Sequence, residues 1–290
     1  MANSIQLSKV YTNLLDEVYQ KSALTADLES DASLSRQGAN ANEIIIPKLA
    51  MDGLADYDRN SGYVDGDVTL NWETVKFNYE RGRMFSVDNM DNEETQNLAF
   101  GRLAGEFIRT KVVPELDAFR FATYASTTGV GKATGALATG ADVIAALRTA
   151  TSAMDEAEVP MEQRILYITP TLKGLIDDMD TTKSKEVLAR FSIIREVPQT
   201  RFYSAIELLD GKTGGEEKGG YKKASGAADI NFMIIHKPAV LQFTKHAVPK
   251  IISPEANQQA DAWKYGYRNY GLCDTYENKA AGIYVHTKSV

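Results

Sequence analysis

Apolar positions change their spacing several times along the chain. Leu7, Val10, Tyr11, Leu14, Leu15 and Val18 recur at three and four residues, which predicts an amphipathic helix over 5–21. Residues 22–41 are small and polar with few anchors and read as an extended arm. The spacing then shortens to two. "EIIIPKLA" is a β-branched run in which Pro47 confines the strand to an edge or an end. After the turn-rich "DGLADYDRNSGYVDGD", the stretch "VTLNWETVKFNY" alternates. Val68, Leu70 and Trp72 share one face, whereas Val75, Phe77 and Tyr79 have the opposite parity, so a bulge or twist is expected between 72 and 75. Residues 43–88 therefore read as a long β-hairpin with an irregular tip. A lone hairpin is marginal in water. The aromatics Trp72, Phe77 and Tyr79 need a surface to lie on, and a second subunit is one candidate.

Helical spacing returns at residue 91. Asp91 and Glu94 have the form of a capping box, and acidic residues suit the positive end of a helix dipole. Leu98, Leu103, Phe107, Ile108, Val112, Leu116 and Phe119 continue the stripe over roughly 30 residues, well beyond the usual helix length. Pro114 lies inside that stripe and is expected to kink or split it. Residues 127–140 read as a flexible connection and 142–156 as a helix with Val143, Leu147, Ala150 and Met154 inward. "RILYI" reads as a buried strand, followed by Thr169 and Pro170 as cap and first position of a helix over 170–178. A short helix fits 183–190. "FSIIREVPQTRFYSAIELL" reads as strand, turn, strand, 211–228 as an exposed low-complexity loop, and "INFMIIH" as a buried strand. "KYGYRNYGLCDTY" and "AAGIYVHTK" close the chain as alternating strands.

The composition is globular: 43% of 290 residues are hydrophobic and 24% charged. A formal charge of −7 leaves no basic footprint for nucleic acid at the level of the whole chain. Cys273 is the single cysteine, which precludes an intramolecular disulfide and fits a reducing compartment. Lys9, Asp16 and Glu17 interrupt any signal-peptide core, and no run of about 18 apolar residues exists, so a soluble chain made inside the cell, with no membrane contact, is expected.

No motif assembles a catalytic constellation, so no enzyme activity, cofactor or metal is expected. "GVGKAT" lacks the spaced glycine and the Ser or Thr that a phosphate loop requires, since Ala133 follows Lys132. Asp56, Asp58 and Asn60 alternate as in a calcium loop, but Ser61 occupies the glycine position and Asp67 the final ligand position. His236, His246 and His286 have no partner at zinc spacing. The densest charges lie in "YERGRMFSVDNMDNEET". Arg81 and Arg83 end the hairpin there, and Asp88 and Asp91 turn the chain into the long helix. The arginines either fork onto carboxylates of a neighbouring subunit or pair within their own.

The succession "GYVDGDVTLNWETVKFNYERGRMFSVDNMDNEET", "LAGEFIRTKVVPELDAFRFATYA", "VPMEQRILYITP", "VPQTRFYSA" and "INFMIIHKPAV" resembles tailed-bacteriophage major capsid proteins of the Hong Kong 97 fold. That resemblance covers nearly the whole chain. It implies an α+β fold with an N-terminal arm (1–42), an extended β-hairpin loop (43–88), the spine helix of a peripheral domain (89–125), an α/β axial domain (126–245) and a return to the peripheral domain (246–290). It implies a structural role: hexamers and pentamers closing an icosahedral virion shell around double-stranded DNA. The implied partners are other copies of the chain, portal, scaffolding and decoration proteins, and weakly held DNA. Where relatives carry a cleaved scaffolding segment, this chain begins near the arm, so that segment was removed or the scaffold is separate. An encapsulin-type compartment with the same fold and a soluble α/β enzyme are the alternatives.

Overall fold

The computed structural model describes residues 23–30, 36–37, 43–60, 62–94, 98–179 and 181–289. The helix expected over 5–21 lies outside them.

Strands β1 (Arg36–Gln37), β2 (Glu43–Met51) and β3 (Val68–Lys76) form a narrow antiparallel sheet in that order. The β2–β3 register runs from Glu43↔Lys76 to Met51↔Val68 without a shift, so the bulge expected between 72 and 75 does not form. The change of parity has another cause. At the inner end, Val75 and Phe77 join Ile44 against Leu241, Phe243 and Leu272. At the outer end the opposite face carries Val68, Leu70 and Trp72, all exposed. The irregularity falls at 77–78 instead, where the Asn78 amide donates to the Cys273 carbonyl at 2.7 Å and accepts from its N–H at 3.0 Å. Beyond it, β4 (Tyr79–Asp88) leaves the hairpin for a second sheet, so the two-stranded projection ends near residue 76, not 88.

Helix α1 (Asn89–Glu94) begins two residues before Asp91. Asp88 precedes it and accepts the Met90 N–H at 3.0 Å, and Asp91 lies within its first turn. Helices α2 (Leu98–Phe107) and α3 (Val113–Ser126) are separated by a π-helical turn over Ile108–Val112. Pro114 has no N–H for the ladder and its ring crowds the preceding turn. The wider turn just before it relieves that conflict, so the expected interruption takes the form of a π-turn.

Residues Gly131–Thr134, expected as a connection, form strand β5. Then come α4 (Gly140–Glu156), β6 (Arg164–Ile168), α5 (Pro170–Asp177), α6 (Thr182–Leu188), β7 (Ile193–Glu196), β8 (Ile206–Leu209), β9 (Gly220–Lys223), β10 (Ile230–His236), β11 (Val240–Ile252), β12 (Ala262–Thr275) and β13 (Ile283–Thr287). Thr139 and Asp142 form a reciprocal capping box on α4, and its predicted stripe is buried. The reading of 211–228 as loop alone is corrected by β9, which pairs with β8.

Strands β5-β13-β10-β6-β7 make a five-stranded sheet buried on both faces. Ile165, Tyr167, Met233 and Ile235 pack against Phe121 and Tyr124 of α3. Leu166, Ile168, Phe232 and Ile234 pack against Val143, Leu147 and Met154 of α4. This explains why "RILYI" and "INFMIIH" are continuous apolar runs rather than alternating ones. Strand β13 lies inside this sheet while β11 and β12 lie in another, so residues 246–290 divide between two sheets. A second layer is the sheet β11-β12-β4 with α2 across one face.

Residues 23–30 do have anchors. Leu28 is fully buried in the core, and Thr25 enters a polar network on α3. Asp117 accepts from the Leu24 N–H at 3.1 Å, the Thr25 N–H at 3.2 Å, the Thr25 hydroxyl at 2.7 Å and Arg201 at 3.0 Å. Gln242 donates to the Thr25 carbonyl at 2.8 Å and accepts from the Tyr124 hydroxyl at 3.0 Å.

His286 on β13 is buried, stacks on Phe232, and faces the Asn231 amide at 3.0 Å. That amide nitrogen also donates to the Gly135 carbonyl, so Nδ1 of the ring must accept. Burial lowers the histidine pKa, because the charged form loses hydration and would set donor against donor. A lowered histidine pKa means the unfolded chain takes the proton first. Stability is therefore complete above the ordinary value of about 6.5 and falls as pH drops through it. His286→Gln is expected to reduce the slope of stability between pH 7.5 and 5 by up to one proton's worth, read from denaturant midpoints. Equal slopes for the two proteins would refute the assignment.

Candidate assembly surface

The alternation of β4 turns Tyr79, Arg81, Arg83, Phe85 and Val87 toward the helices, and leaves Glu80, Gly82, Met84, Ser86 and Asp88 exposed. On the inner side Arg81 Nε meets the Glu115 carboxylate on α3 at 2.8 Å, and its NH2 donates to the carbonyls of Leu209 at 2.8 Å and Gly220 at 3.2 Å. The Tyr79 hydroxyl donates to the same carboxylate at 3.2 Å. Burial and that negative charge hold the phenol protonated far above its ordinary range, so it remains a donor. Arg83 donates to the carbonyls of Lys218 and Glu217, both at 2.9 Å. Gly219, at φ +63°, permits this, since a Cβ there would sit 2.9 Å from the guanidinium.

The two arginines thus bind three elements of one chain: β4, α3 and the β8–β9 hairpin. Within one copy, the acceptors of both arginines come from the same chain. The structure brings Tyr79, Arg81 and Arg83 together. It places Asp88 and Asp91 apart from them, at the start of α1. Phe77 lies against Tyr270 at 4.8 Å under the Lys245 ammonium. Trp72 sits on the exposed stripe of β3. Glu115, the carboxylate at the centre, has no signal in the sequence, because an acid within a helical stripe carries no sign of its distant partner. Arg81→Ala is expected to cost about 2 kcal/mol, because it leaves Glu115 buried without its cation, softened by the 26% exposure of the arginine side chain. Denaturant unfolding of the unassembled chain checks this; a loss below about 0.5 kcal/mol would show the pair to be immaterial.

Two further features bear on assembly. The first is the outer hairpin, where Met51, Leu54, Tyr57, Tyr63, Val64, Val68, Leu70 and Trp72 are all exposed. Leu54 and Tyr63 reach 106% and 88% exposure. Apolar exposure this concentrated marks an interaction surface. Tyr57 and Tyr63, which lie within the turn-rich segment of the sequence, meet at 4.8 Å there. The second is a cleft of about 1110 Å³ between α2, the π-turn, the β4–β12 pair and the β8–β9 turn. Phe85, Phe107 and Tyr267 line its apolar side, and Arg83, Lys111 and Lys218 line its polar side.

The amino-acid sequence matches no protein-family model and no curated protein. The fold has clear neighbours. The mature capsid of bacteriophage PhiM1 superimposes with a TM-score of 0.64 at 12% identity, covering 99% of this chain and 95% of that one. The capsid of cyanophage P-SCSP1u gives 0.63 at 12% identity, covering 97% and 93%. A virus-like particle from Pyrococcus furiosus gives 0.51 at 11% identity, covering 82% and 86%. The expected Hong Kong 97-like fold is therefore the fold of this chain.

Proposed function

We propose that the chain is the major capsid protein of a tailed bacteriophage, a structural protein whose copies form the hexamers and pentamers of an icosahedral shell. The observation that carries this reading is likeness over nearly the full length, with 97–99% of this chain and 93–95% of two phage capsid chains covered. The exposed apolar hairpin supports it, because such a projection gains stability when a neighbour covers it. Packaged double-stranded DNA, a portal, scaffolding protein and decoration proteins follow as partners in the virion, with assembly in the host cytoplasm. A net charge of −7 suits weak, non-specific contact with DNA.

The likeness to the Pyrococcus particle favours a second reading, a protein compartment of the same fold, though it covers less of the chain. Electron microscopy of the purified chain tests both. Closed shells or capsomers are expected, with nuclease-protected DNA in particles from infected cells distinguishing virion from compartment. A monomer at every concentration and salt would refute the shell and favour the soluble-enzyme alternative.

A further inference from the structure

Residues 24–30 tie together parts of the fold that the chain itself joins at one end. The chain passes between the β11-β12-β4 sheet, with its helices, and the five-stranded sheet after α3, after β10 and after β12. These passages lie together. The Thr275 and Thr127 hydroxyls are 3.2 Å apart, the Tyr276 N–H donates to the Ala239 carbonyl at 3.0 Å, and Gly129 lies against Ala280. Sheets joined at one end rotate about that end unless their free edges are held. The β4 edge is held by Arg81 on Glu115 of α3. The opposite edge, β11, is held by the 24–30 segment. Ser30 donates its N–H to the Gln242 carbonyl at 3.0 Å, and its hydroxyl accepts the Gln242 N–H at 3.0 Å. Glu29 accepts the Thr244 N–H at 2.9 Å on one oxygen and the Gln242 side-chain amide at 3.0 Å on the other. Two residues earlier Asp27 accepts from Arg195 of β7, an edge strand of the five-stranded sheet, at 2.7 and 3.2 Å. Leu28, between the two acids, is fully buried in the core and seats the segment between its ties.

We propose that residues 24–30 are a clamp that fixes the tilt of the β11-β12-β4 sheet against the five-stranded sheet, and with it the one curvature at which copies of the chain join. The inference rests on the self-assembly reading and gives the segment a geometric role beyond its part in subunit stability. An assembly closes only when the rotation between neighbours is right at every contact, so small play within each subunit is multiplied around the whole. The side chains that reach across are near the surface, Asp27 at 25% and Glu29 at 44% exposure, whereas Thr25 and Leu28 are buried. Anchoring and clamping are therefore separable. The buried side chains hold the segment on, and the two carboxylates tie it to β7 and β11.

Asp27→Ala with Glu29→Ala tests the clamp, with circular dichroism expected to show a folded subunit. Thr171→Cys on α5 and Lys250→Cys on β11, both at exposed positions, carry spin labels, and the native Cys273 is buried. In the unassembled subunit the distribution of label distances is expected to widen about twofold when the carboxylates are removed, because an edge released from its tie samples more orientations. Electron microscopy of the same alanine protein without labels is expected to show shells spread over several diameters where the parent forms one class. Glu207→Ala, which removes an exposed carboxylate of the β8–β9 pair, should leave both readings unchanged. If the alanine pair does not fold, Glu29→Ala alone carries the same expectations, since its carboxylate is the more exposed of the two. A distribution as narrow as the parent's, shells of parental uniformity, or equal widening in Glu207→Ala would each overturn the clamp. The label measurement uses the unassembled subunit, so a parent that never assembles refutes the shell reading while the widths still decide whether the segment holds the sheets.

Discussion

Asp117→Ala is expected to destabilise the subunit by about 3–5 kcal/mol, the loss typical of breaking a buried ion pair from one side. The carboxylate is fully buried and accepts four hydrogen bonds, from two backbone N–H groups, the Thr25 hydroxyl and Arg201. Its removal takes a counter-charge from Arg201, a cation only 1% exposed. It also strips the acceptor from the first turn of 24–28, so that segment should come away from α3 before the rest of the chain unfolds. Limited proteolysis near residue 26 and denaturant unfolding read these two effects separately. A loss under about 1 kcal/mol, or unchanged protease resistance, would mean that the network is dispensable. By contrast, the exposed Lys222–Glu207 pair should contribute little to stability, because solvent screens both charges.

A short Gly-Ser insertion after Asn60 is expected to leave the subunit as stable as the wild type, within about 0.5 kcal/mol, and to reduce shell formation more than any other change of comparable size. The tip is closed by the Asp58–Gly62 backbone pair, with Gly62 at φ +83°, and its described residues are exposed or partly so. Lengthening a loop outside the core costs little loop-closure entropy. An interface element behaves otherwise, because added residues displace the side chains that must fit a neighbour. Sedimentation of the assembly reaction, beside thermal unfolding of the subunit, gives both numbers. Normal shells from the inserted chain would show that the tip is not at an interface.

The elements most legible from the amino-acid sequence are those whose environment is uniform along their length. Val143, Leu147, Ala150 and Met154 recur at helical spacing and are all buried on α4, because one face of that helix meets one sheet. The runs "RILYI" and "INFMIIH" announce strands covered on both faces, and β6 and β10 are neighbours at the centre of the sheet. The order of hairpin, long helix, α/β unit and closing strands is likewise local information, and it carries the resemblance on which the fold is expected. Periodicity records which face of an element is apolar; it does not record what that face touches. Hence β3 shows a change of parity, but its cause, a body-packed inner end and a free outer end, lies in contacts with β11 and β12. The place of β13 between β5 and β10 depends on pairings made across more than 40 residues of chain. The polar segment 24–28 reads as unanchored because its anchor, Asp117, lies more than 90 positions away. Arg81 and Arg83 are visible as an unusual pair of charges, yet the acceptors that hold them are Glu115 and backbone carbonyls, groups that every sequence contains and only folding brings within reach. Hydrogen-bond and ion-pair partners are chosen by distance in space, over separations where local pattern has no reach.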